Sequence, residues 1–314
     1  MFVRTFEKHW NTHPIKLSFF AGLLFVTVAQ VVSYFLFQSQ PHLIGLTTIF
    51  FTVLFAMPVF TYLISAEETL EKKNLSFFKK QHAVIDYHLY FFLGVLLVFF
   101  IVSLIQPAYV FDLSNFLNLE QTTDMTNDPQ SRFSVAYDFI SIVENNLFII
   151  LCSLILRLFF GSGGIFLLVL NASISASLIA TFLDSSPSEF VCQVSLFQIY
   201  FIPEIIGLIL AAIAGGVFYM DVVKEKFWSK SFIKVGIDSV VLLLVSVFFI
   251  ISAAALEVYV AKDLFSSNLC DANPFAPIFI LFIAIGLIIV LERKRQKHKK
   301  HYLRTKQKIS AFRK

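Results

Sequence analysis

Eight uninterrupted apolar runs of about 20 residues constrain this chain more than any other feature. They are Leu17–Phe37, Leu43–Ile64, His88–Ile105, Ala136–Leu156, Gly163–Leu183, Gln198–Met220, Phe232–Leu256 and Phe275–Leu291. A bilayer core of about 30 Å is crossed by about 20 residues of helix. In hydrocarbon, backbone N–H and C=O groups must pair within the segment, so a continuous run of this length reads as a helix. A β-barrel would show short alternating segments instead. Composition agrees: 57% of the 314 residues are hydrophobic, 15% are charged and 39 are Phe. No water-soluble globule can hide that much apolar side chain. A soluble enzyme, a secreted disulfide scaffold and a disordered chain are excluded. The expected fold is all-α: a polytopic integral membrane bundle of about eight transmembrane helices.

Residues 1–291 read as a single transmembrane domain and 292–314 as a polybasic tail. The first run is too long for a cleavable signal peptide, and no small-x-small site follows at Ser39 or Gln40. The fourth run is the most interrupted. It contains Asp138 and Glu144 and ends at Arg157. Residues 106–135 form the longest connection, polar and acidic.

Charge sets the orientation. With both termini in the cytoplasm, every Lys and Arg falls on the cytoplasmic side except Arg132 and Lys262. This is the positive-inside pattern, and losing one span would scatter it. The expected location is the cell membrane, crossed many times. The tail, RKRQKHKKHYLRTKQKISAFRK, suits anionic lipid headgroups, each charge adding about 1 kcal/mol. Nucleic acid is the weaker reading, because only Tyr302 interleaves its basic clusters. Residues 66–82 (AEETLEKKNLSFFKKQH) and the N-terminal Phe2, Phe6 and Trp10 read as helices at the cytoplasmic interface.

Of the three cysteines, Cys152 reads as a small buried hydrophobe. Cys192 and Cys270 fall in two separate outer connections, 184–197 and 257–274. There they are either bridged by a disulfide or left unpaired.

Polar groups within hydrocarbon are costly and call for a reason. They are Glu144, Asn145 and Asn146 in the fourth run, Asn171 in the fifth and Glu204 in the sixth. Counting 1.5 Å per residue puts all five roughly 10–20 Å below the outer surface, so they can share one layer and hydrogen-bond across helices. The alternatives are structural glue, a substrate or ion site, and an oligomer contact. Small residues recur every fourth position beside this layer: Gly207, Ala211 and Gly215 in the sixth run, Ala172, Ala176 and Ala180 in the fifth. Such faces let backbones approach closely, which predicts that the fifth and sixth helices pack together. Gly161, Gly163 and Gly164 suit a tight turn before the fifth. Pro203 either kinks the sixth helix or lies in its first turn.

The series FISIVENNLFII, GSGG, LLVLNASI and IPEIIGLILAAIAGG resembles the stage II sporulation protein M family of polytopic membrane proteins. Members carry Asn-Asn, then Asn-Gly, then His-Gly-x-x-Glu leading into an Ala/Gly-rich helix. The matching positions are Asn145, Asn146, Asn171 and Glu204, within residues 135–220. The EE at 67–68, His82 and FFLG at 91–94 are similar to archaeal members. Ala172 stands where the family has Gly, and Tyr200 and Phe201 where it has His-Gly, so any role of that His is missing. The resemblance implies a membrane scaffold that binds protein partners and performs no chemistry.

Catalytic motifs are lacking. All seven His lie outside the runs, with His88 at an edge, so no intramembrane Ser–His pair is expected. HExxH and GxxxxGK[ST] do not occur, and no Cys/His spacing suggests a metal. Asn171-Ala-Ser matches a glycosylation pattern but lies within a run. Asp112, Glu120, Asp124 and Asp128 fit no EF-hand. No cofactor is expected. The leading expectation is a scaffold with a protein partner or a second copy of itself. The alternatives are a transporter or exporter using the intramembrane carboxyls, and a membrane enzyme using Glu144 or Glu204 as acid or base.

Overall fold

The computed structural model describes residues 14–70, 77–105, 139–160, 164–183, 187–224 and 229–261. They form seven helices and no strand. In order these are α1 (Pro14–Leu36), α2 (His42–Leu70), α3 (Phe77–Ile105), α4 (Phe139–Phe160), α5 (Gly164–Phe182), α6 (Pro187–Lys224) and α7 (Lys230–Ala255). A single π-helical stretch, Leu256–Ala261, continues α7. Six of these segments are long and apolar enough to cross a membrane: Leu17–Leu36, His42–Phe60, Val84–Ile105, Gly164–Phe182, Glu189–Tyr219 and Val235–Ala261. In α4 the apolar stretch is shorter, Phe139–Cys152. The eighth run, the tail and the 106–135 connection lie outside the described residues.

Several boundaries differ from the sequence reading. Residues 66–82 are at both ends continuations of membrane helices, because α2 runs on to Leu70 and α3 begins at Phe77. His88 lies within the third candidate span, not outside it. It is buried against Phe60 at 4.8 Å between ring centroids, and its Nδ1 donates to Val84 O at 2.7 Å. The largest change is α6, which begins at Pro187 and holds 38 residues. Most of the expected outer connection 184–197 is therefore helix. Pro203 sits inside that helix, not in its first turn.

Two close crossings organise the bundle. In the first, α1 and α3 meet at Gly22 and Gly94. A Cβ on Gly22 would lie 2.5 Å from Phe91 O, and one on Gly94 would run into Phe19 O. Only glycine permits backbones this close. One turn earlier in α1, the buried Ser18 Oγ donates to Tyr87 O at 3.0 Å. In the second, α6 and α7 form the most extensive helix pair. Ser246 Oγ donates to Gly207 O at 2.7 Å and Ser239 Oγ to Ala214 O at 2.8 Å. Seven residues separate the two donors and seven separate the two acceptors. That match is the repeat expected of antiparallel helices kept in register by left-handed supercoiling.

Between these crossings, α5 packs against α3 and α6, with Ile165, Leu168, Val169 and Ala172 fully buried. Thr48 Oγ1 donates to Gln30 Oε1 at 2.9 Å and ties α2 to α1. Outward faces are apolar as well. Phe20, Leu24, Val28, Val31 and Phe35 make one exposed stripe along α1, and Leu93, Leu97, Ile101 and Leu104 another along α3. Buried and exposed faces are alike in chemistry, as expected where lipid replaces water.

Candidate functional site

The expected polar layer draws on α4, α5 and α6, and the structure turns Glu144 away from the others on its helix. On α4 the inward positions are Ile142, Asn146 and Ile150, spaced by four residues and buried. Asn145 is half-buried beside them. Glu144 points the other way. It is exposed, on a stripe with Ile140, Phe148, Leu151 and Ile155. Residues 142 and 144 are separated by about 200° around a helix, so one buried member requires one outward member. On α5 the half-buried Asn171 uses its Nδ2 on its own helix, donating to Leu167 O at 3.1 Å. Among the described residues no hydrogen bond joins Asn145, Asn146, Asn171 and Glu204. The inter-helix clasp expected from these side chains is not formed. A turn-to-turn bond within α5 satisfies the amide locally, and Glu144 faces out.

The small-residue stripes are used in a different pairing from the one expected. Gly207 faces α7, not α5. A Cβ there would lie 2.9 Å from Ile250 Cγ1 and 3.1 Å from Ser246 O. Ala211 is fully buried, and Gly215 is buried as well. On α5, Ala172 and Ala176 are fully buried and Ala180 is half-buried. The fifth and sixth helices do touch, but serine donors on α7 select the Gly207–Ala214 face of α6.

Glu204 has a neighbour that the sequence reading placed beyond the membrane. The seventh run was ended at Leu256, yet the helix continues through the π-helical stretch that holds Glu257. Both carboxyls are half-buried and close enough to interact electrostatically. Pro203 precedes Glu204 by one residue, and a proline removes one backbone hydrogen bond from the turn above it. Two irregular turns thus sit beside two carboxyls. The extension was legible in Val258-Tyr259-Val260-Ala261, which keeps the apolar run going after a single charge. Nearby, Phe197, Tyr200 and Phe201 form an aromatic cluster, Phe197 stacking on Phe201 at 4.6 Å. Phe201 also meets Phe92 of α3 at 6.1 Å. The two positions where the resembled family has His-Gly are packed as aromatic core.

Cys192 is disulfide-bonded and fully buried in α6, not in a connection. Cys152 is free. Cys270 lies outside the described residues. Among the described residues no group of three or more His, Cys, Asp or Glu is placed to hold a metal ion.

The arrangement defines a multi-pass helical membrane protein that associates with the bilayer through apolar helix faces. The chain matches no known family, no characterised protein and no solved structure.

Proposed function

We propose that the protein is a non-enzymatic membrane scaffold that binds protein partners, of the kind that stage II sporulation protein M exemplifies. In this reading it crosses the cell membrane eight times, with both termini in the cytoplasm and the basic tail on anionic headgroups. One observation carries it. Three buried serine hydroxyls are spent on the backbone of a neighbouring helix: Ser18 on Tyr87 O, Ser239 on Ala214 O and Ser246 on Gly207 O. Each such bond between membrane helices contributes about 0.6 kcal/mol on average and reaches about 1.7. With the glycine crossings they favour a bundle that holds one shape and presents fixed outer faces. The test is recovery from native membranes in mild detergent. Co-purification of one partner at constant stoichiometry is expected. Elution as a lone chain at every detergent strength would refute the reading.

The Glu204–Glu257 pair favours a second reading, an ion-coupled transporter. Two carboxylates brought together repel, and more strongly away from water. A proton or cation between them relieves that repulsion, and membrane carboxyls beside interrupted helices commonly line ion paths. Cation flux in proteoliposomes, abolished by Glu204→Gln and by Glu257→Gln separately, would put this reading first.

A further inference from the structure

Glu144 is the side chain whose surroundings fit its chemistry least. It lies on the exposed stripe of α4 between Ile140, which is 62% exposed, and Phe148, which is 64% exposed. Its neighbours on that stripe are apolar in both directions, so the face is built for lipid or for another helix, not for water. In the eight-span reading, the 13 residues from Arg157 set it about 20 Å along the axis, inside a core of about 30 Å. A carboxylate facing acyl chains at that depth costs several kcal/mol. A cationic partner would offset that cost, and the candidate spans of this chain hold none. None of the six candidate spans contains a Lys or Arg. The eighth apolar run, 275–291, contains no Lys, Arg, His, Asn or Gln, so it too lacks a donor for a carboxylate. A second copy applied through the same face would set Glu144 against Glu144.

We propose that the outward face of α4 docks a membrane-spanning helix of another protein, one that carries a Lys or Arg opposite Glu144. Ile140, Phe148 and Leu151 supply the apolar contact above and below the ion pair. The inward face of α4 is already engaged, with Ile142 against Ala254 and Val258 at the end of α7, so the visiting helix would sit against a supported wall. The inference deepens the scaffold reading and rests on it for its biological meaning, but it is tested separately.

The experiment uses the full chain in phosphatidylcholine vesicles with synthetic Leu-rich transmembrane peptides. One peptide carries a single Arg about 10 Å below one surface; a second has Leu there and a third Glu. Association is read by fluorescence transfer between labelled peptide and labelled protein. The Arg peptide should bind about tenfold more tightly than the Leu peptide, a step of about 1.4 kcal/mol. Glu144→Gln should remove that preference, and Glu144→Lys should transfer it to the Glu peptide. Because Glu144 is exposed, both variants should keep the thermal stability of the parent. Equal binding of Arg and Leu peptides overturns the proposal, and so does a preference that survives Glu144→Gln. Dimerisation of the chain through Phe148→Cys, unaffected by the Arg peptide, overturns it in favour of a second copy. Solute flux through a protein that still selects the Arg peptide would sink the scaffold reading and leave the docking face standing.

Discussion

Substituting Gly22 by Ala places one methyl group where α1 and α3 are closest. The new Cβ would be 2.5 Å from Phe91 O, 3.1 Å from Val95 N and 3.3 Å from the Cα of Gly94. All three are backbone atoms of α3, so no rotamer change makes room. Ordinary contacts of a Cβ begin at 3.4 Å, so the helices must part by about 0.9 Å at the crossing. The Ser18 Oγ to Tyr87 O bond, 3.0 Å now and one turn away, then stretches beyond hydrogen-bonding length. Overpacking of a tight interior costs about 1–3 kcal/mol. The lost inter-helix bond adds about 0.6–1.7 kcal/mol. Better helix propensity of Ala returns up to about 1 kcal/mol. The net loss should be about 1–4 kcal/mol. Reversible unfolding in mixed micelles, titrated with dodecyl sulfate, measures it. Gly236→Ala is the internal control, because nothing lies within 4 Å of a Cβ there. It should be neutral or stabilising. If both alanine variants unfold at the same titrant level, the α1–α3 crossing does not hold the bundle and the reasoning fails.

The remaining predictions concern the second crossing, the cysteines and the topology. Ser246→Ala should lower stability by about 1 kcal/mol through loss of the bond to Gly207 O. Ser252→Ala, whose hydroxyl donates only to Phe248 O of its own helix, should change nothing measurable in the same titration. Alkylation of the denatured chain before reduction should label Cys152 alone, and after reduction all three cysteines. Mass spectrometry decides, and a label on Cys270 before reduction would exclude its pairing with Cys192. Protease added to inside-out vesicles should remove residues 292–314, whereas right-side-out vesicles should protect them. Cleavage in the second preparation would overturn the cytoplasmic placement of the tail.

The helices were legible in the sequence because length and hydropathy settle whether a segment can cross hydrocarbon. Which face of each helix turns inward was not. In a soluble helix, polar residues mark the outer side. Here Phe20 and Phe148 are exposed while Phe60 and Phe99 are buried, so periodicity carries no label for inside. For that reason the polar residues of α4 read as one set, although Glu144 and Asn146 face opposite ways. The small-residue rule found Gly207 but not its partner, since both α5 and α7 offer suitable surfaces. The decisive signal was the seven-residue spacing of Ser239 and Ser246 against Gly207 and Ala214. The same rule applied to Ser18 and Gly22, four residues apart, would have found the α1–α3 crossing. The outer end of α6 was missed because Ser188, Glu189, Gln193 and Ser195 lower hydropathy. Three of those side chains bond one another or the helix backbone, with Gln193 Nε2 donating to Glu189 Oε1 at 3.0 Å and Ser195 Oγ to Val191 O at 2.6 Å.

At 38 residues, α6 measures about 57 Å, nearly twice the thickness of the oil it crosses. Tilt alone does not absorb the excess, since membrane helices lean about 20° on average. Counted from Tyr219, about 30 Å of rod ends near Tyr200, and Cys192 lies about 12 Å further along. One continuous helix therefore carries packing contacts over more than a single membrane thickness. One part of it is gripped by α7, and the turns carrying Cys192 and Leu196 are fully buried as well, with Phe197 packed on Phe182 of α5. Strain applied at Cys192 would reach Glu204 through about three turns of the same rod.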